Sequence, residues 1–388
     1  MLEIPISQTI IEKFDKVFID ETSRSSKVAQ RVLKYFPKEK IEIVIARPVW
    51  EVGQRGTDFN KSKRLLYLTP FTGQFFKRCP GSSQKKVLNC CNYHILNLAS
   101  QCDMNCSYCY LQSYLNDPLL KIYTNIDDAL AELRQMAADF PESPFRVGTG
   151  EITDSLSLDE ISLYSHDLIQ FFAEFPKWTL EFKTKSNCVD QFLQIHHAKN
   201  AVVSWSINPQ HIISKEEHGT ASFQERIAAA QKAKQAGFQI AFHIDPMIFH
   251  EDWEANYTDL VQQICQNFSP EDVHVISIGA LRFQPEQRHM MRERFGMNSY
   301  VTQAEMFPSE GAKLRYDSVL RQKMFQTVYQ QFKQHNSKWK IFLCMETPET
   351  WIQSLESQPM SKDELKPLFR PLPALKTELK HQSQTDIQ

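Results

Sequence analysis

The chain has no uninterrupted apolar run approaching the roughly 20 residues of a membrane span, so no membrane partner is expected. Residues Met1 to Ser7 lack a basic region followed by an apolar stretch, so no secretory signal is read there. Neither sign of charge dominates: 44 Lys and Arg against 46 Asp and Glu leave a net −2. That balance argues against a protein that coats nucleic acid and leaves room for a local basic groove only. A second CxxC is missing too, as are histidines at zinc-site spacing; His94 stands eight residues before the first thiol of the cysteine-rich segment. Nine cysteines is an odd number, and 388 residues can bury a core without staples, which counts against a disulfide framework. Unpaired thiols with no export signal point to a reducing cytoplasm.

What is present is ordinary in bulk. Apolar residues at 42% and charged residues at 23% match a soluble globular protein, one large α/β domain or such a domain with an N-terminal attachment. In the first region, Lys16–Asp20 and 41–46 read as strands with a helix over 31–36 between them, preceded by a turn at Ser23, Ser25 and Ser26. From His94 the pattern repeats as strand, loop, helix. Strands are expected at 95–99, 145–148, 179–184, 201–207, 238–244, 273–278 and 340–343, the last ending at Cys344. Helices are expected at 127–140, 158–172 and 226–235, the last with a Ser222/Glu225 capping box and Gly237 as its stop. This alternation implies parallel βαβ units, hence an α/β barrel or open sheet. The tail after about Lys362 has little apolar content and reads as disordered.

One segment carries far more information. Cys102, Cys106 and Cys109 form a CxxxCxxC loop in Cys102-Asp-Met-Asn-Cys106-Ser-Tyr-Cys109-Tyr110. Three thiolates around one point leave the fourth corner of a cubane cluster without a protein ligand, whereas iron–sulfur clusters normally take four cysteines. An open metal corner is built to bind a substrate or cofactor, as in catalytic zinc sites. This loop is similar to that of the radical S-adenosylmethionine superfamily, whose open iron chelates the methionine end of the cofactor. In barrel folds the chemistry sits at the C-terminal ends of the strands. The cysteine loop, Gly150, Glu151, Lys185, Asn208, Asp245, Arg282 and Cys344 all fall at or just past such ends and are expected to converge on one mouth.

The ordered segments Cys102–Gln112, Phe182–Lys185, Trp205–Pro209, Gly219–Phe223, Arg226–Ala230, Asp245–Trp253 and Leu281–Phe283 resemble the spore photoproduct lyase family, which repairs a thymine–thymine lesion in DNA. The likeness covers about residues 90 to 290, the N-terminal region loosely and the last hundred residues poorly. It implies a partial (β/α)6 TIM-type barrel over 94–345, an N-terminal α/β extension over 1–93 and a C-terminal tail over 346–388. It also implies a [4Fe–4S] cluster on Cys102, Cys106 and Cys109, reductive cleavage of S-adenosylmethionine and abstraction of a hydrogen atom from a thymine lesion. An electron donor such as flavodoxin or ferredoxin follows from that chemistry. The family carries its hydrogen-donor cysteine three residues before an aspartate; counting back from Asp154 gives Glu151 here. The segment Gly148-Thr-Gly150-Glu151 instead looks like the Gly-Gly-Glu motif of other radical enzymes, whose carboxylate accepts from the cofactor's ammonium group.

The individual roles follow, each beside a plainer one. Gly150 suits close backbone approach to a ligand, or an ordinary turn. Glu151 suits an ammonium acceptor, or a solvated loop carboxylate. By resemblance Lys185 neutralises the cofactor carboxylate, against a surface lysine. Ser206 and Asn208 can bind ribose or methionine, or simply cap their loop. By resemblance Tyr108 lies near the adenosine and Tyr110 relays a hydrogen atom; packing around the cluster explains both equally. Cys344 is the candidate displaced hydrogen donor, with Cys90 and Cys91 as rivals and a buried structural role as the alternative. Arg282 leads a basic run with Arg288, Arg292, Arg294, Lys313, Arg315 and Arg321 that suits a phosphate backbone or a solvated helix face. Asp245 and His250 suit substrate binding or a loop hydrogen bond. Two further functions stay open: the same radical chemistry on an RNA, peptide or small molecule, and a non-catalytic zinc-binding nucleic-acid module.

Overall fold

A computed structural model describes residues 8–48, 58–84 and 87–370. The chain enters through β1 (Lys16–Asp20), β2 (Ile41–Val44) and β3 (Leu65–Thr69), all parallel. Next, β4 (Phe76–Arg78) and β5 (Tyr93–Leu96) begin a second sheet as an antiparallel pair. The chain then crosses back: β6 (Ala99–Ser100) and β8 (Leu120–Tyr123) complete the first sheet in the order β2-β1-β3-β8-β6. Between them lies β7 (Asn105–Cys106), inside the cysteine loop. The boundary expected at residue 93 is therefore crossed in both directions. The N-terminal region lends β4 to the barrel sheet, and the barrel region lends β6 and β8 to the N-terminal one.

The second sheet continues with β9 (Arg146–Gly148), β10 (Thr179–Thr184) and β11 (Ala201–Ser206). A short β12 (Glu217–His218) then pairs back onto β7, before β13 (Gln239–Met247) and β14 (Val273–Ala280). A small antiparallel sheet of β15 (Arg282–Phe283), β16 (Phe307–Ser309) and β17 (Lys313–Arg315) follows, and β18 (Ile341–Leu343) ends the series. The order β18-β14-β13-β11-β10-β9-β5-β4 is linear, with parallel pairing from β5 to β18. This is the expected open barrel. The six-unit expectation holds for β5 to β14 and is extended by β18 on one edge and antiparallel β4 on the other. Every residue of β11 is buried, as a central parallel strand covered on both faces requires.

Local signals set some of the helix ends. The Phe223–Gln235 helix carries its capping box, Ser222 N–H donating to Glu225 Oε2 at 2.7 Å, and stops at Gly237 with φ +89°. The helix expected over 31–36 instead runs Lys27–Leu33, because the Ser26 hydroxyl accepts from Ala29 N–H and starts it earlier. The one expected over 158–172 breaks at Leu163, whose φ of +52° separates Asp159–Ser162 from Tyr164–Ala173. The strand expected over 41–46 ends at Val44. The tail is packed further than its composition indicated. Helices Pro348–Leu355 and Lys366–Phe369 lie against the barrel, with Phe369 edge-on to Phe342 and Trp351 at 5.6 and 5.4 Å. Residues 371–388 lie outside the described residues.

On the concave side of the barrel sheet the lower layer is ionic rather than aliphatic. Glu181 on β10 bridges Arg146 of β9 and His243 of β13 (Nε2–Oε1 2.8 Å), and His243 Nδ1 meets Ser277 Oγ of β14 at 2.5 Å. Burial, with Lys183 nearby, pushes the His243 imidazole down to about 4 despite Glu181. The unfolded chain takes up that proton near 6.5, so stability falls as pH drops from 6.5 to 4, by about 1.4 kcal/mol per pH unit from this group. Replacing His243 by Gln should flatten the slope between pH 6.5 and 4.5, as read by urea unfolding across pH.

Candidate functional site

The cysteine loop sits at the C-terminal mouth of this barrel. Gln101, with φ +72°, turns the chain out of β6 into Cys102. Cys106 lies in β7, level with Glu217 of β12, and Cys109 N–H donates to its carbonyl at 3.2 Å. Three regions brace the loop. From the N-terminal side, Lys13 pairs with Asp103, whose other oxygen accepts from Ser157 Oγ at 2.5 Å, and Lys63 donates to the Met104 carbonyl. From the Pro285–Phe295 helix, Gln287 donates to the carbonyls of Tyr108 and Cys109 at 3.0 and 3.1 Å, and Arg294 to Gln112 at 2.8 Å. From the Gln210–Glu216 helix, Glu216 accepts from the Ser107 and Ser299 hydroxyls.

Glu217 joins this loop to the barrel. Its Oε1 accepts from the Tyr108 hydroxyl at 2.5 Å and from Asn208 Nδ2 at 2.9 Å, and its Oε2 pairs with Arg226 at 2.7 Å, both side chains fully buried. Burial opposes its charge, but Arg226 and Lys185 outweigh that and hold it below the usual carboxylate range. Lys185 Nζ stands 5.7 Å from the Tyr108 ring centroid. Burial works against its ammonium, yet Glu217 and Cys106 hold it above the ordinary lysine range. Burial likewise pushes the Cys106 thiol up to about 12 and Cys102 well above its ordinary value. Lys185 beside Cys106 and Lys63 beside Cys102 favour the thiolates.

The remaining anticipated residues divide sharply. Gly150 has no room for a side chain: a Cβ would lie 2.8 Å from Ser155 Oγ and 2.9 Å from the Lys183 carbonyl. The Glu151 carboxylate is largely buried, 3.7 Å from Lys77 Nζ, and burial raises it above the usual range. Tyr110 is 40% exposed and its hydroxyl donates to the Glu151 carbonyl at 2.6 Å. Asn208 does not present its amide to the mouth, since its Oδ1 accepts from Tyr257 and its Nδ2 is spent on Glu217. The Ser206 carbonyl accepts from Arg226 at 2.8 Å. Arg282 forms a two-pronged pair with Asp245 at 3.0 and 3.1 Å and donates to Cys344 Sγ at 3.8 Å. His250 Nδ1 bonds the Ile248 carbonyl, a loop brace.

Most arginines of the basic run are tied to the protein's own oxygens, although Arg292 is exposed. Arg288 and Arg292 bond the carbonyls of Ala304 and Thr302, and Arg315 and Arg321 share Glu346. Sequence reasoning gave no structural role to Asp154, Glu217 or Arg226. Asp154 accepts from Leu156 N, Ser157 N, Thr184 Oγ1 and Lys185 N at 2.7 to 3.0 Å, shaping the loop that carries Glu151. Its signal was the Asp154-Ser-Leu-Ser157 segment of a local turn, which does not announce a partner thirty residues away.

A family model described as spore photoproduct lyase matches residues 86–341. The chain belongs to the spore photoproduct lyase family. It is 27% identical over 205 residues to the spore photoproduct lyase of Geobacillus sp. (strain Y412MC61), covering 52% of this chain and 60% of that protein. With the Bacillus subtilis (strain 168) spore photoproduct lyase it shares 28% identity over 281 residues, 70% of this chain and 72% of the relative. A solved structure of spore photoproduct lyase complexed with dinucleoside spore photoproduct superposes with TM-score 0.75 at 21% identity, covering 85% of this chain and 99% of the other. The likeness establishes the shared fold. Within the family's fold, the Glu217–Arg226 pair supports the cysteine loop of this chain. Replacing Arg226 by Met should cost about 3–5 kcal/mol in urea unfolding, because Glu217 is left buried and unpaired. Adding Glu217→Gln should recover part of that loss.

Proposed function

We propose that this protein is a radical S-adenosylmethionine enzyme that acts on a thymine lesion in DNA. The observation that carries the reading is the cysteine loop held at the C-terminal mouth of an open barrel, with Lys185 between Cys106 and Glu217. The residues present fit the groups this requires. Three thiols stand on one braced loop, and cations flank two of them. Among the described residues the buried Thr149 Oγ1 has no hydrogen-bond partner and Glu151 Oε2 meets Lys77 only at 3.7 Å, so both have room for a ligand's donors.

When bound, the cluster and S-adenosylmethionine supply one-electron chemistry that ends in removal of a hydrogen atom from the substrate. The chain's own residues orient and shield. Lys185 meets the cofactor carboxylate and Glu151 its ammonium group, a pair of charge-assisted contacts that fix the methionine end. Gly150 lets the backbone approach. Tyr108, tied to Glu217, walls the adenosine side, and Tyr110 relays a hydrogen atom at the rim. Cys344, at the end of β18 beside Arg282, is the hydrogen donor to the product in place of the residue that Glu151 replaces. The lesion must leave the duplex to enter this mouth, at a few kcal/mol, less at a distorted step. A flavodoxin or ferredoxin would provide electrons in the cytoplasm. No helix among the described residues is long and apolar enough to cross a membrane.

Glu151 at the family's donor position favours a second reading, the same cofactor chemistry on an RNA, peptide or small molecule. One set of assays separates them. Anaerobically reconstituted protein with a reductant should form 5′-deoxyadenosine from S-adenosylmethionine, and Cys102→Ala should form none. With a spore-photoproduct dinucleotide in D2O, the wild type should release thymine product carrying solvent deuterium. Cys344→Ala should lower that yield at least about tenfold and remove the label. Cofactor cleavage by the wild type with no thymine product would select the second reading.

A further inference from the structure

Side chains alternate between the faces of β10. Glu181 reaches across the concave side to Arg146 and His243, so Lys183 faces the same lumen, one layer nearer the mouth. By the same alternation Asp245 follows His243 and Gly279 follows Ser277, while Cys344, one past the Ile278–Leu343 pair, is level with Gly279. Two glycines shape this upper layer. A Cβ on Gly279 would lie 2.7 Å from the Asp245 carboxylate, and one on Gly148 would fall 1.5 Å from the Tyr93 hydroxyl. The strand β17 closes the layer from above, with Arg315 opposite Arg282 and Lys313 two residues before it on the same face.

The charges in this layer do not balance. Arg282 is satisfied by Asp245. Lys183 and Lys313 have, among the described residues, neither an ion pair nor a side-chain hydrogen bond, yet both act on Asp245 and Cys344. Three cations thus face one carboxylate. Burial, with Arg282 and Arg315 beside it, holds Lys313 below the ordinary lysine range. Beneath lie the buried Tyr93 hydroxyl and Arg146 Nη1, without a hydrogen-bond partner among the described residues, the guanidinium 5.0 Å from the Tyr93 ring centroid. Partly buried cations without a counter-charge are costly, and unpaired buried polar atoms add to that cost.

We propose that this layer is an anion subsite, in which Lys183 and Lys313 hold a phosphate group of the substrate against the Asp245–Arg282 wall. The proposal rests on the nucleotide reading above and deepens it. The donors come from separate elements, β10 and β17, with Tyr93 and Arg146 below, which suits tetrahedral oxygens better than a planar carboxylate. A phosphate held there lies next to Cys344 and registers the adjoining sugar and base over the cluster loop.

The full-length protein, reconstituted anaerobically, is titrated by calorimetry with thymidine 5′-monophosphate, thymidine and inorganic phosphate. The monophosphate should bind at least about tenfold more tightly than thymidine, equivalent to about 1.4 kcal/mol. Lys183→Met and Lys313→Met should each erase that advantage and weaken inorganic phosphate. Raising NaCl from about 0.05 to about 0.5 M should erase it in the unaltered protein, which needs no variant to fold. Equal binding of thymidine and its monophosphate by the wild type, or an unchanged preference in both variants, overturns the proposal. So does competition by acetate where phosphate does not compete. Phosphate binding lost in both variants supports the subsite even if no thymine lesion is turned over, so the two readings fail separately.

Discussion

The buried carboxylate of Glu217 is where the cysteine loop and the barrel become one structure. It stands on a two-residue strand that pairs with the strand carrying Cys106. From there it accepts from Tyr108 on the loop and Asn208 past β11, and neutralises Arg226 from the helix that follows. A lone carboxylate at that depth would be too costly to keep charged; with a guanidinium, a phenol and an amide around it, the charge is held and the geometry with it. Lys185 then meets a fixed anion on one side and a thiol on the other. Every role assigned to the mouth depends on that loop being rigid relative to the strand ends.

The lumen below is a second consequence of charge kept away from water. The layer of Arg146, Glu181, His243 and Ser277 is closed on itself apart from one guanidinium nitrogen. The layer above is left with more cations than carboxylates. A barrel filled with aliphatic side chains would give stability without selectivity, whereas this one places fixed charges where a substrate must enter. The arginines past β14 contribute differently from what a basic run suggests. Arg282, Arg315 and Arg321 are spent on carboxylates and Arg288 and Arg292 on backbone carbonyls, whereas Lys183 and Lys313 have neither an ion pair nor a side-chain hydrogen bond among the described residues.

Membership of the spore photoproduct lyase family sits beside a local departure. Glu151 stands where the family's pattern puts a cysteine, and its carboxylate lies in a pocket that raises its proton affinity. Cys344, across the mouth, is the thiol that touches Arg282. The same strand-end geometry therefore offers a carboxylate on one edge and a thiol on the other.

The sequence by itself determined the alternation of strands and helices, the capping box of the Phe223–Gln235 helix and the cysteine triad. Each is written in residues within about a dozen positions of one another, where period, capping and spacing act directly. It also placed Lys185, Arg282 and Cys344 at strand ends, since strand length is a local property. Tertiary structure alone decided which of these side chains are free. Asn208 looked available until Tyr257, forty-nine residues on, took its carbonyl oxygen, and Arg282 until Asp245 took its guanidinium. Packing of Phe369 against Trp351 and Phe342 was equally invisible, because polar composition says nothing about one apolar side chain that finds a groove. Partners distant along the chain are set by how sheets fold over one another, and no local pattern encodes that.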